Sequence, residues 1–235
     1  MNYAIILASG MGKRMQMQKN KVLVTLHRKP LIYWSLRTFE KVSEIEKIVV
    51  TSRPGEIEEL EKIVRKNRFK KVVKILAGGA ERQYSAQIGL KWIIEELKPQ
   101  KKAVIIFHNG ANPFVSSEEI KQTILATQEI GAAAVALPTT DTIKEVDEKN
   151  LVVKTLDRKK LWNMQTPQGL RLDWAKKAFF QAEKDGFLGT DDISLAERLG
   201  KRAKIILASP LNFKITRPLD LELAKIIFKK KLCSE

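Results

Sequence analysis

Cysteine is nearly missing from this chain: Cys233 is the only one among 235 residues. An internal disulfide is therefore excluded, and a reducing cytoplasm is the expected setting. Histidine is almost as scarce, with only His27 and His108, and no Ser-His-Asp set emerges for nucleophilic catalysis. No apolar run approaches the roughly 18 residues of a membrane helix, so no membrane association is expected. Residues 1–15 read as strand and loop rather than as a signal peptide. Zinc-binding and RNA-binding motifs, internal repeats and low-complexity linkers are all missing. What is abundant is charge: 43 Lys and Arg against 27 Asp and Glu leave a formal +16. That surplus favours acidic partners such as nucleotides, sugar phosphates or nucleic acid. The alternative is a Lys- and Glu-rich surface of the thermophile kind. Because the cations are spread rather than blocked, nucleic acid is not expected. With 44% hydrophobic residues, the chain suits one α/β domain over residues 1–235 with a substantial core.

Strand-like and helix-like patterns alternate along the first half. Tyr3 to Leu7, Lys21 to Leu26, Ile45 to Thr51, Lys71 to Leu76, Ala103 to Phe107 and Ala132 to Leu137 read as strands. Leu31 to Val42, Glu56 to Lys66 and Ser85 to Leu97 show helical spacing, with Pro30 in a first-turn position. The alternation predicts an α/β fold with a doubly wound, mostly parallel sheet and right-handed crossovers. Residues 141–157 alternate around the polar tip Asp147-Glu148-Lys149-Asn150 and predict a β-hairpin. Short helices at 173–184 and 192–199, a strand at 202–207 and a closing helix at 219–231 complete the chain.

The run Leu7-Ala8-Ser9-Gly10-Met11-Gly12-Lys13-Arg14-Met15 follows the first strand. Bare N–H groups of a glycine-containing turn form an anion nest at a strand's carboxyl end, where open α/β sheets bind ligands. Lys13 and Arg14 add full positive charge, and arginine can fork two donors onto a phosphate. A plain strand-to-helix turn with surface cations is the alternative. The run is not a P-loop, since Arg14 follows Lys13 where a Ser or Thr should stand. Nor is it a dinucleotide fingerprint, which needs a third glycine and an acidic residue about twenty positions on.

Together with Lys21, the run resembles the L-A-A-G-x-G-x-R-M…K signature of nucleotidyltransferases that load a sugar or polyol phosphate onto a nucleotide. More narrowly it resembles the 2-C-methyl-D-erythritol 4-phosphate cytidylyltransferases, the IspD family of isoprenoid synthesis, with ribitol 5-phosphate enzymes as near relatives. Gly78-Gly79-Ala80-Glu81-Arg82 to Leu90 is similar to the family's G-G-x-x-R-x-x-S-V-x-x-G-L, which holds the cytosine. Gly78 and Gly79 admit a flat base close to the backbone, and Ser85 either bonds the base edge or caps the following helix. Ala80 departs from the polar residue frequent there. Pro138 to Lys144 resembles P-x-x-D-T-x-K, and Leu156 to Gln168 resembles V-D-R-x-x-L-W-x-x-x-T-P-Q. Gly189-Thr190-Asp191-Asp192 is similar to a T-D-E/D element in which Asp191 serves equally well as a helix N-cap. Asn212 to Leu221 is similar to N-x-K-[IV]-T-x-P-x-D-L. Trp162 is expected to pack in the core.

These blocks imply a Rossmann-like nucleotidyltransferase fold with a protruding hairpin arm that packs against a second copy. The implied reaction joins CTP and 2-C-methyl-D-erythritol 4-phosphate into the CDP-alcohol and pyrophosphate. By resemblance Arg14, Lys21 and Lys214 are catalytic. Ala8, Ser9, Gly10, Gly12, Lys13, Gly78, Gly79, Arg82, Ser85 and Asn109 bind nucleotide. Thr142, Arg158, Thr166 and Thr190 bind the polyol phosphate, Arg158 reaching it across the dimer; a hairpin ion pair with Asp157 or Asp141 is its alternative role. One block departs from the pattern. Phe107-His108-Asn109-Gly110-Ala111-Asn112-Pro113 stands where the family has H-D-A-A-R-P, whose aspartate binds Mg²⁺. Asn109 offers a carbonyl oxygen without charge, and Asn112 replaces a cation. Either metal binding is weak, or the reaction is a changed one, or activity is lost. Use of ribitol 5-phosphate, or a nucleotide-binding relative without turnover, are the corresponding alternatives.

Overall fold

The first strand, β1 (Asn2–Leu7), is buried along its whole length, and its side chains alternate between two cores. Ala4 and Ile6 face one apolar cluster, while Tyr3, Ile5 and Leu7 face the other. This period-2 division of an all-apolar strand is what a sheet covered on both faces requires. The structure, a computed structural model, describes residues 1–10 and 20–230. A 3-10 turn at Lys21–Leu23 leads into a separate small hairpin of β2 (Thr25–Leu26) and β3 (Lys29–Pro30). The strand expected over Lys21 to Leu26 is thus mostly turn, because the Asn20 side chain accepts from the Val22 N–H and caps it. Helix α1 (Leu31–Lys41) follows, with Pro30 one position outside its first turn.

β4 (Ile45–Ser52), helix α2 (Ile57–Asn67) and β5 (Val72–Ala77) extend the sheet on one side of β1. Helix α3 (Arg82–Trp92) then returns the chain to the other side, where β6 (Val104–Asn109) pairs parallel with β1 and sets Leu7 beside Asn109. The strand order therefore reverses between β1 and β6, the position at which open α/β sheets bind ligands outside the carboxyl ends. Helix α4 (Ser117–Ile130) is started by a capping box between Ser116 and Glu119. It ends at Gly131, whose φ of 103° and contact with the Trp174 ring leave no room for a side chain.

β7 (Ala132–Pro138) and β10 (Trp162–Arg171) complete the sheet with β11 (Lys204–Leu207), in the order β11-β7-β10-β6-β1-β4-β5. All main-sheet pairings are parallel except those of β10, which runs antiparallel to both neighbours. Helices α5 (Leu172–Lys184) and α6 (Asp192–Glu197) pack with α3 on one face of the sheet. Helix α7 (Pro218–Lys229) joins α1, α2 and α4 on the other. Between β7 and β10, strands β8 (Lys144–Val146) and β9 (Val152–Thr155) form the expected hairpin as a two-stranded sheet of their own. Val146, Leu151, Val152 and Val153 on it are all exposed. Trp162 is 40% exposed beside it rather than a core residue. Among the described residues, no helix is long and apolar enough to cross a membrane.

Candidate active site

The glycine-containing run leaves β1 at Leu7, and its first residues are braced from below. Ala8 donates its N–H to the Thr51 carbonyl at 2.7 Å. The fully buried Asn20 donates from Nδ2 to the Ala8 carbonyl (2.7 Å) and to the Glu56 carboxylate (2.6 Å). Arg53, paired with Glu56, reaches the Gly10 carbonyl at 3.2 Å. None of Asn20, Arg53 or Glu56 belongs to a motif, and they meet only because β4 lies beside β1. Gly12, Lys13 and Arg14 lie outside the described residues.

Ser9 and Ser85 share a hydrogen bond at 2.7 Å between their hydroxyls. Ser85 is buried in the first turn of α3, within 3.1 Å of the Glu81 carbonyl, so it is not the N-cap. That position belongs to Glu81, which makes no capping bond through its side chain. Gly78 lies directly behind the pair: a Cβ there would stand 2.6 Å from the Ser9 Cβ and 2.8 Å from the Ser85 Oγ. Only glycine leaves the serine bridge in place.

Above the bridge a cleft of about 110 Å³ is lined by Ser9, Gly10, Lys21, Gly79, Ala80, Glu81, Arg82, Asn109 and Lys214, among others. Five separated segments thus meet at the β1–β6 switch point. Lys21 sits on the 3-10 turn and is 9% exposed. Lys214 comes from the loop between β11 and α7. That loop is pinned by the Ile215 N–H on the Ala111 carbonyl (2.9 Å) and by buried Asn212, which donates to Glu119 and to the Thr166 carbonyl.

Arg82 is oriented by a charge pair beneath the cleft. Its Nη1 and Nη2 donate to the two Asp192 oxygens at 2.9 and 2.6 Å, and Asp192 is 1% exposed. Burial works against the guanidinium's charge, but Asp192 overcomes it and raises the Arg82 pKa above its ordinary value. Arg82 Nε also donates to Asn109 Oδ1 at 3.3 Å, while the Asn109 N–H donates to the Thr166 hydroxyl at 3.2 Å. Asp191 is the N-cap of α6, accepting from the Ser194 N–H. Gln168, buried on β10, accepts from the N–H groups of Asp192 and Ile193 and donates to Asp191. Sequence patterns pointed to Gln168 only as part of a motif, because its hub role depends on α6 lying against β10.

His108 lies below this layer, fully buried, with Nε2 at 3.3 Å from the Asn112 carbonyl oxygen. Burial pushes its pKa down to about 3, and the charges of Arg82 and Lys214 push the same way, against the Asn112 contact. His108 is therefore neutral in the fold, while the unfolded chain takes up a proton below its ordinary value of about 6.5. Stability is expected to be fully present above pH 6.5 and to fall by roughly 4 kcal/mol as pH drops towards 3. Thermal denaturation across pH 7 to 4 checks this, with His108→Gln flattening the decline; an equal slope in the variant would refute it. Asn112 is also buried, turned away from the cleft with Nδ2 on Asn212.

The remaining expected residues fall elsewhere. Thr166 stands behind Asn109, whereas Thr142, Arg158 and Thr190 are exposed and do not line the cleft. Arg158 donates to the Thr140 carbonyl at 2.8 Å, and the alternative ion pair with Asp157 or Asp141 is not formed. A divalent metal fits poorly with these donors. Among the described residues no three His, Cys, Asp or Glu side chains converge. Asn109 Oδ1 faces Arg82, the Asp192 carboxylate is taken by the same guanidinium, and magnesium prefers carboxylate with phosphate oxygens.

A doubly wound sheet with two lysines meeting at its switch point is the framework of a nucleotidyltransferase. The chain belongs to the IspD family, 2-C-methyl-D-erythritol 4-phosphate cytidylyltransferase, whose model matches residues 2–230. It is 40% identical over 231 residues to the protein of that name from Bacillus velezensis, covering 97% of each. It is 41% identical over 228 residues to the one from Alkaliphilus metalliredigens, covering 97% of this chain and 92% of the relative. Among solved structures, the 4-diphosphocytidyl-2C-methyl-D-erythritol synthase from Anaerococcus prevotii superposes with a TM-score of 0.83 at 27% identity, covering 97% of this chain and 95% of the other. The cytidylyltransferase from Thermus thermophilus gives 0.76 at 26%, covering 97% and 100%.

Proposed function

We propose that this protein joins CTP and 2-C-methyl-D-erythritol 4-phosphate, yielding the CDP-alcohol and pyrophosphate. The observation that carries this reading is the convergence of Lys21 and Lys214 on the cleft beside Ser9 and Gly10, in a chain of this family. An oxygen of the polyol phosphate attacks the α-phosphorus of CTP in line, and the bond to the β-phosphate bridging oxygen breaks. The nucleophile is already an anion, so no general base is needed. Lys21, Lys214 and Arg14 stabilise the charge gathering on the equatorial oxygens. Ala8, Ser9, Gly10, Gly12 and Lys13 hold the phosphates, while Gly78, Gly79, Arg82 and Ser85 frame the base, with Asn109 at the phosphate side. Thr166, Thr190, Thr142 and Arg158 receive the polyol phosphate, Arg158 from a second copy.

The exposed valines and Leu151 on a two-stranded hairpin support that dimer, since so small a sheet is marginal alone in water. Light scattering on Val152→Glu should report monomer where the parent reports dimer. Mg²⁺ belongs to this reading as a companion of CTP, and the setting is the cytoplasm. The test is pyrophosphate release with CTP and Mg²⁺, comparing 2-C-methyl-D-erythritol 4-phosphate with ribitol 5-phosphate. Turnover with the first alone supports the reading. Turnover with ribitol 5-phosphate alone, or with neither, overturns it.

A further inference from the structure

We infer that this cleft presents no pair of carboxylates able to anchor a divalent metal, so that any metal enters as the metal–nucleotide complex and is held by phosphate oxygens and water. The inference rests on the cytidylyltransferase reading for its nucleotide. Position 109 ends β6 at the switch point and lines the cleft beside Lys21 and Lys214, which makes it the strand-tip donor facing the cleft. Its side chain is a neutral amide. Arg82 Nε already donates to the amide oxygen, and the amide nitrogen contacts the Thr166 hydroxyl at 3.4 Å.

The neighbouring acids do not replace it. Both Asp192 oxygens are engaged by Arg82, 1% exposed beneath the floor. Glu81, exposed at the start of α3, is the one acidic residue among the described residues lining the cleft. The segment 11–19 contains Lys13, Arg14 and Lys19 and, by sequence, no Asp, Glu, His or Cys. Magnesium dehydrates reluctantly and takes one or two carboxylates plus substrate phosphates where a protein anchors it. Here the charge that faces a triphosphate is cationic instead, and a tetra-anion placed among lysines needs less help from a metal. The nucleotide should therefore bind almost as well without metal as with it.

The test uses Mn²⁺ as probe, followed by the paramagnetic relaxation of water protons, with α,β-methylene-CTP as unreactive nucleotide. Mn²⁺ is expected to bind the free protein no tighter than several millimolar, and the protein–nucleotide complex within about threefold of nucleotide alone. The analogue should bind in EDTA within about threefold of its affinity with metal, by calorimetry. Asn109→Asp should tighten Mn²⁺ in the ternary complex about tenfold or more, because it restores the charge. A submillimolar site in the free protein, or a tenfold excess in the wild-type ternary complex, overturns the inference. If Glu81→Gln abolished that excess, the ligand would be Glu81. An unchanged Mn²⁺ affinity in Asn109→Asp overturns the placing of position 109 at the metal. Failure of the analogue to bind under any condition would instead refute the cytidylyltransferase reading, while the free-protein titration would still decide the metal.

Discussion

Replacing Lys214 by methionine is expected to lower kcat/KM for CTP by about three orders of magnitude while moving the unfolding midpoint by only a few degrees. The lysine's backbone is clamped on both sides: Asn212 is fully buried and bonded to Glu119 and Thr166, and Ile215 is fully buried and bonded to Ala111. The loop continues into α7, whose Asp220 accepts from the Thr216 and Arg217 N–H groups and the Thr216 hydroxyl at 2.7 to 2.8 Å. Methionine keeps much of the apolar stem and removes only the ammonium, so the frame stays and the cation goes. A charge held in place before the reaction acts on the transition state without reorganisation, which is why its loss falls on the rate. Lys21→Met should behave alike. Steady-state pyrophosphate release beside thermal denaturation checks both variants. Retention of more than a tenth of the wild-type kcat/KM, in either variant, would remove that lysine from the catalytic set.

Asp192→Ala should cost about 3–5 kcal/mol of folding stability, seen as a drop of roughly 10 °C in unfolding midpoint. The aspartate is 1% exposed and holds Arg82, itself only 27% exposed, through two short bonds. Arginine cannot escape by losing its proton, so truncating the acid strands a positive charge in a protein interior. Replacing both partners, Arg82→Met with Asp192→Leu, should recover much of the stability, because no unpaired charge then remains. Activity should stay low in the double variant, since Arg82 lines the cleft and bonds Asn109. Denaturant unfolding of the two single variants and the double closes a mutant cycle. Additive single effects would show that the pair is not coupled.

The parts of the fold that the amino-acid pattern made legible are those where local chemistry and global position agree. β1, β4, β6 and β7 read as strands because apolar runs of that length bury both faces in one place, whereas the edge strand β5, only partly buried, reads as one from its β-branched run. α4 is signalled only by the capping box of Ser116 and Glu119 at its start. β10 does not read as a strand because Pro167 and Gly169 are poor strand formers and the glutamines between them and Trp162 break the apolar alternation. Its burial comes from lying between β6 and β7, where Gln168 meets the start of α6. Trp162 illustrates the reverse: an aromatic expected inside stands half out, beside the hairpin arm.

The cleft divides in the same way. Motif resemblance carried the family, and residue type and spacing carried the glycine turn, the two lysine-bearing blocks and the neutral amide at position 109, since these are properties of short stretches of chain. Only the tertiary structure decided that Arg82 spends its fork on Asp192, that Asn20, held by Glu56, braces the chain at Ala8, and that Ser85 bridges to Ser9. It also decided that His108 is sealed away neutral. Each of these joins segments far apart in the chain, and the charge or hydrogen bond acquires its strength from burial, which no stretch of sequence possesses until the sheet has closed around it.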